Sequence, residues 1–181
     1  ARRFNLFMHL DGARVFNAAT ALGVDVKKVV RPFDSVMFCL SKGLCAPVGS
    51  ILAGTKEFIK EARYVRKYLG GGMRQVGILA AAGIIAIEKM TKRLHQDHER
   101  LKHLATEIAG LPHIEVNPDD VHTNIMMITL KNTHSNTFLE KLKEQNVWAL
   151  PFNDEQVRLV THNDLDDNDI ETAIKAIKNT A

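Results

Sequence analysis

The chain has 181 residues, 45% of them hydrophobic, with 24 Lys+Arg against 21 Asp+Glu and a formal net charge of +3. That length suffices for one large or two small packed domains, and so balanced a charge leaves no electrostatic footprint for nucleic acid. No apolar run reaches the length of a membrane span, no N-x-S/T acceptor occurs, and the two cysteines, Cys39 and Cys45, suit a reducing compartment better than a disulfide framework.

The chain opens ARRFNLFMHLDGAR, with no initiator methionine and no signal-peptide pattern, and reads as a truncated form that begins close to a buried strand. Residues 5–10, NLFMHL, read as a short strand ending at Asp11-Gly12, and 14–22, RVFNAATAL, as a helix stopped by Gly23. Residues 35–40, SVMFCL, form a continuously apolar strand of the kind found in covered parallel sheets. Residues 48–53, VGSILA, predict a third strand, antiparallel to the second across the loop 41–47. A basic helix over 55–68 ends at Gly70-Gly71-Gly72, and 75–90, QVGILAAAGIIAIEKM, predicts an apolar helix suited to a packed interior or a subunit interface. Leu94, Leu101, Leu104 and Ile108 continue a helical stripe.

After Gly110 the texture changes. Strands are predicted at 113–117 and 124–130 and a helix at 136–145. A hairpin of 147–151 and 156–161 is joined by FNDE, and an Asp-capped helix over 167–178 carries Ile170, Ile174 and Ile177 inward. The organisation is an incomplete α/β domain over residues 1–92 and a small α+β domain over 93–181.

Lys42 stands at the lip of the second strand among small residues, Ser41, Gly43, Ala46 and Gly49. A lysine in a semi-buried pocket near other cations loses its proton more readily and can form a Schiff base. Asp11 follows the first strand and precedes a glycine turn, where a buried carboxylate needs a cationic partner, and Arg14 follows on the first helical turn. Each segment alone fits an ordinary turn or helix cap. Together they say more. Asp11 and Lys42 are 31 residues apart, the length of a strand–helix–strand unit that brings both strand ends to one sheet edge. An acid for a ring nitrogen and a lysine for its aldehyde would meet there, as pyridoxal phosphate requires.

HLDGARVFNAATALGV, FDSVMFCLSKGLCAPVGSILAG, KYLGGGMRQVGILAAAGIIAIE and VRLVTH, in that order, closely resemble the threonine aldolases. The resemblance implies the C-terminal part of a fold type I, aspartate aminotransferase-like large domain followed by a small α+β domain. It implies an aldehyde-lyase that cleaves L-threonine or L-allo-threonine to glycine and acetaldehyde through an internal aldimine on Lys42. Asp11 matches the acid at the pyridine nitrogen, and Arg14 an arginine near the cofactor and the substrate carboxylate. Arg158 matches the arginine that clamps that carboxylate, and Lys67 and Arg74 match basic residues approaching a neighbouring subunit's site. Lys60, Arg63 and Arg66 read as a solvated helix face. The expected partners are the amino-acid substrate and further copies of the chain, as a dimer of dimers, with no metal, nucleic acid or membrane. The expected setting is cytoplasmic amino-acid metabolism.

Cys45 stands where many relatives have glycine and reads as a small packing residue. The family's chains are longer, and the part preceding this sequence carries the phosphate turn, a ring stacked on the pyridine and a proposed base. None of His9, His95, His98, His103, His113, His122, His134 or His162 matches those roles. Two alternatives therefore stand beside the aldolase reading. One is a truncated, inactive product that keeps a scaffold or an oligomerisation surface through 70–90. The other is a related β-eliminating lyase of the same fold, against which GGGMRQ and VRLVTH favour the aldolase.

Overall fold

The structure is a computed structural model that describes residues 1–180. The chain divides into two compact units, one of residues 1–94 and one beginning at His95.

The first unit is built on a three-stranded sheet of order β1-β2-β3, with β1 at His9–Asp11, β2 at Ser35–Cys39 and β3 at Ser50–Gly54. β1 runs parallel to β2, and β2 antiparallel to β3. Between β1 and β2 the chain crosses through α1 (Val15–Leu22) and α2 (Val26–Val30). Gly23 ends α1 at φ 63°, where its lack of a β-carbon removes the left-handed penalty. α2 was not anticipated from the sequence. Its signal is Asp25, whose carboxylate caps it by accepting Lys27 N–H at 2.7 Å.

The first strand is shorter than the apolar run NLFMHL suggests. Asn5 turns left-handed at φ 56°, and Met8 bonds the Asp34 carboxylate at 2.8 Å ahead of the ladder. After β3, Thr55 caps α3 (Lys56–Tyr68), and α4 (Gly77–Glu88) follows the glycine turn. α4 is not an interior helix of this unit: only Gly83 and Ala86 are buried, while Ile78, Ile84, Ile85 and Ile87 are exposed. The unit's core is Leu40, Leu44, Ala46, Ala86 and Leu94, with Phe16, Phe38 and Met90 against it. Three of those residues flank Lys42 in the loop after β2, so apolar burial holds that loop in place.

In the second unit, α5 (Leu94–Ile108), β4 (Ile114–Glu115), β5 (Ile125–Leu130), α6 (Ser135–Glu144), β6 (Leu150–Pro151), β7 (Gln156–Val160) and α7 (Asp167–Thr180) follow in order. Its sheet is antiparallel, ordered β4-β5-β7-β6. Strict alternation puts Met126, Ile128, Leu130, Val157 and Leu159 inward, against Leu101 and Ile108 of α5, Phe138 and Leu142 of α6, and Ile174 and Ile177 of α7. The predicted hairpin exists, but pairing in its first strand is confined to Leu150–Pro151. That strand lies at the sheet edge, and proline brings no N–H to a ladder. Among the described residues, no helix is long and apolar enough to cross a membrane.

Candidate active site

Parallel pairing sets the first part of the site. Asp11 ends β1 opposite Met37, and Lys42 comes three residues after β2 ends at Cys39. Both therefore belong to the C-terminal edge of the parallel pair, the edge at which open α/β sheets bind ligands. The turn after Asp11 is docked onto β2. Gly12 N–H donates to Met37 O at 2.9 Å, and Cys39 N–H donates to Ala13 O at 3.4 Å.

The Asp11 carboxylate accepts Ala13 N–H through Oδ1 at 3.2 Å, and no other described group donates to it. Asp11 is exposed, and so is Lys42. The sequence reading expected a buried carboxylate and a half-buried lysine. The difference arises because β1 is an outer strand of its sheet and Lys42 lies in the loop beyond β2.

The lysine loop is nonetheless closely held. Leu40 N–H donates to Gly49 O at 2.9 Å, Ala46 N–H to Leu40 O at 3.0 Å and Cys45 N–H to Lys42 O at 2.8 Å. Cys45 takes φ 61°, the left-handed region that favours the glycine expected there. Gly43 is buried, and a β-carbon on it would meet Leu94 Cδ2 at 3.1 Å and Asn17 Oδ1 at 3.3 Å. Asn17 is only 4% exposed. The sequence reading passed over it, because an asparagine inside RVFNAATAL looks like helix filler. Its one signal is an amide placed one turn beyond Arg14 in an otherwise apolar helix.

Five cationic side chains are half-buried: Arg14, Arg93, Arg100, Lys102 and Arg158. Arg100 bonds Asp167 Oδ1 at 2.7 Å and Leu165 O at 2.8 Å. Lys102 bonds Pro118 O and Asp119, and Arg93 is engaged as well. Arg14 and Arg158 are the two that have no partner among the described residues. A partly desolvated guanidinium without a counter-charge is costly, and an anionic ligand offsets that cost.

Arg14 sits at the N-cap of α1, one helical turn before Asn17. Arg158 belongs to the second unit. It lies on β7 with Met127 and Leu150 as its cross-strand partners, and alternation turns it away from the buried Val157 and Leu159. It lines a groove of about 410 Å³ with Trp148, Leu150, Val160, Leu165 and Ala173. Lys67 lies in the last turn of α3 and Arg74 in the turn that follows; both are exposed. The triple glycine folds back on α3, so that a β-carbon on Gly72 would lie 3.5 Å from Lys67 Cγ. No hydrogen bond or ion pair among the described residues joins Lys67 or Arg74 to Asp11, Arg14 or Lys42. Among the described residues, no cluster of His, Cys, Asp and Glu could hold a metal ion.

The chain is 40% identical to low-specificity L-threonine aldolase 1 of Arabidopsis thaliana over 173 residues, 94% of this chain and 48% of that protein. It is 42% identical to low specificity L-threonine aldolase of Escherichia coli (strain K12) over 166 residues, 91% of this chain and 48% of that protein. The chain thus spans about half the length of the curated relatives it matches. The crystal structure of a candidate L-allo-threonine aldolase of Listeria monocytogenes superposes with a TM-score of 0.82 at 20% identity, covering 99% of this chain and 54% of that one. At that identity the likeness is one of fold, the fold type I architecture with a large α/β unit followed by a small α+β unit. The model of the beta-eliminating lyase family matches residues 1–132, which take in the Asp11 turn, the lysine loop and the second unit as far as β5. With its parallel strand pair, its acid turn and its lysine loop all inside that match, the chain belongs to the beta-eliminating lyase family.

Proposed function

We propose that the protein is a pyridoxal phosphate-dependent aldehyde-lyase that cleaves L-threonine and L-allo-threonine to glycine and acetaldehyde. The observation that carries this reading is the parallel register that brings Asp11 and Lys42 to one sheet edge, within a chain 42% identical to a low specificity L-threonine aldolase.

The residues present fit the cofactor. Asp11 Oδ2 has no hydrogen-bond partner among the described residues and can accept from a protonated ring nitrogen. Lys42 Nζ, likewise unpaired, is the amine that would hold the cofactor by its aldehyde carbon. Arg14 and Arg158 bind the substrate carboxylate with charge-assisted bonds, which fixes the direction of the Cα–Cβ bond. When bound, pyridoxal phosphate supplies the electron sink for the pair released as that bond breaks. Lys67 and Arg74 extend from the glycine turn toward a neighbouring copy's site.

Incubating the purified chain with pyridoxal phosphate, reducing with borohydride and mapping the modified peptide tests this reading, together with acetaldehyde release from threonine. A Lys42 adduct and threonine cleavage, both abolished in Lys42→Ala, are expected. Cleavage that survives Lys42→Ala overturns the proposal. An adduct without cleavage favours the scaffold reading instead.

We also propose that a second copy of the chain covers α3 and α4, with assembly as a dimer of dimers in the cytoplasm. Tyr64, Tyr68, Leu69, Met73, Ile78 and Ile84 are exposed there, large apolar side chains that a second copy would remove from water. Cys39 and Cys45 form no disulfide, which suits a reducing compartment. Analytical ultracentrifugation reads the assembly: a monomer at working concentration overturns it.

A further inference from the structure

We propose that Asn17 is the positioning residue for Lys42, acting through Gly43, an inference that rests on the reading of Lys42 given above. Burying a side-chain amide is costly unless its polar atoms are bonded. Asn17 lies in the first turn of α1, three residues after the N-cap Arg14, at 4% exposure. Leucine, with the same number and branching of side-chain heavy atoms, would occupy the site without desolvating an amide, so packing alone does not account for it.

What the amide meets is the lysine loop. Oδ1 and Nδ2 of Asn17 lie 3.3 and 3.7 Å from where a β-carbon on Gly43 would be, and Leu94 Cδ2 closes the other side at 3.1 Å. Gly43, the residue after Lys42, is therefore flanked on its side-chain side by an amide and a methyl group. Asn17 is engaged by its surroundings, and no buried side-chain nitrogen or oxygen among the described residues lacks a partner. Lys42 itself has no side-chain partner, so the direction of its stem is set by its own backbone. That backbone is bonded at Lys42 O by Cys45 N–H and at Leu40 O by Ala46 N–H, and between these points Gly43 packs beside Asn17. α1 also carries Arg14 one turn earlier. One short helix thus holds a carboxylate-binding arginine and the reactive lysine in a common frame, which is how a fraction of an ångström of placement is secured.

The test uses Asn17→Leu, which keeps the number and branching of the side-chain heavy atoms, and Asn17→Ala, each in the whole chain, with two readouts. Hydrogen exchange of the Cys45 amide reports the loop, with Phe38 in β2 and Ile128 in β5 as references. In both variants the Cys45 amide exchanges roughly ten-fold faster or more while the two references keep their rates. The borohydride-fixed pyridoxal phosphate adduct on Lys42, at a fixed subsaturating concentration, falls by roughly ten-fold in parallel. Unchanged Cys45 exchange overturns the proposal, as does equal acceleration at Phe38, the sign of a merely structural role. If the unsubstituted chain forms no Lys42 adduct, the functional reading fails, while the exchange rates still decide whether Asn17 holds the loop.

Discussion

Gly12 donates its backbone N–H to Met37 O at 2.9 Å, and a β-carbon on Gly12 would lie 2.8 Å from that same oxygen. The turn that follows Asp11 is pressed so closely onto β2 that it has no space for a side chain, and Val36 Cγ2 and Val15 Cβ close the remaining room at 3.1 and 3.2 Å. The obstacle is backbone, which cannot swing aside as a flexible side chain can. Asp11 therefore takes its place from a glycine.

Gly12→Ala should destabilise the first unit by about 1–3 kcal/mol, the usual cost of overpacking. Gly23→Ala provides the comparison. Its β-carbon would meet nothing within 4 Å, so only the positive φ opposes it, at about 1 kcal/mol. Exchange of the β2 amides, measured in urea, separates the two. An equal cost at both positions would show that the turn can lift off β2.

Gly43→Ala should behave differently. The atoms its β-carbon would meet belong to the side chains of Leu94 and Asn17, at 3.1 and 3.3 Å, and these can give by a few tenths of an ångström. We expect a stability change within about 1 kcal/mol, since alanine also restricts the unfolded chain. The yield of the pyridoxal phosphate adduct on Lys42 should drop all the same, because the displaced peptide is the one that aims the lysine. An unchanged yield would mean that the loop tolerates the shift without turning Lys42.

The architecture was largely legible in the sequence because its signals are local. The 31 residues from Asp11 to Lys42 hold one helical crossover, and the parallel pairing of β1 with β2 follows from it. The FNDE turn joins β6 to β7 as its composition suggests. What sequence could not supply was the surroundings of each side chain. An apolar run does not reveal whether it ends in the core, so Leu6 and Phe7 were assigned to a strand and prove exposed. The uniformly apolar α4 gave no direction in which to turn a face, and its isoleucines lie at the surface. Asn17 and Gly43 are 26 residues apart, and no spacing rule connects a helical amide with a loop glycine at that distance.

Arg158 should be nearly silent in stability and prominent in binding. It has no partner among the described residues, whereas Arg100 holds both Asp167 Oδ1 and Leu165 O. Arg100→Ala should therefore cost the second unit about 0.5–1 kcal/mol, a modest figure because Asp167 is largely exposed. Arg158→Ala should cost less. If Arg158 binds the substrate carboxylate, its loss removes charge-assisted bonds of about 1.5–3 kcal/mol, or roughly ten- to a hundred-fold in kcat/KM for threonine. Arg158→Lys should recover only part of this, since an ammonium cannot reproduce the bidentate fork. Kinetics indifferent to Arg158 would remove it from the site.

His98 makes the stability of the second unit depend on pH. It is half-buried in α5, and that burial holds its pKa below the ordinary 6.5; the His95 charge pushes the same way, against the opposing pull of Asp97 and Glu99. In the unfolded chain the ring takes up a proton near its ordinary pKa, while in the folded chain it resists until lower pH. Between those two values the unfolded state binds more protons, so stability falls as pH falls, and the loss is complete below the folded value. Trp148, the chain's only tryptophan, lies in this unit but is exposed, so the NMR signals of α5 and β5 rather than its fluorescence read the unfolding. Urea midpoints should decline from about pH 7.5 to about pH 5.5, a window that brackets the ordinary histidine pKa. His98→Gln, which cannot take up the proton, should flatten that slope. A slope that persists unchanged in His98→Gln would assign the acid sensitivity to the surface carboxylates instead. Glu107 is then the group to examine, since its hydrogen bond from Lys178 at 2.7 Å lowers its pKa and is lost as the carboxylate protonates.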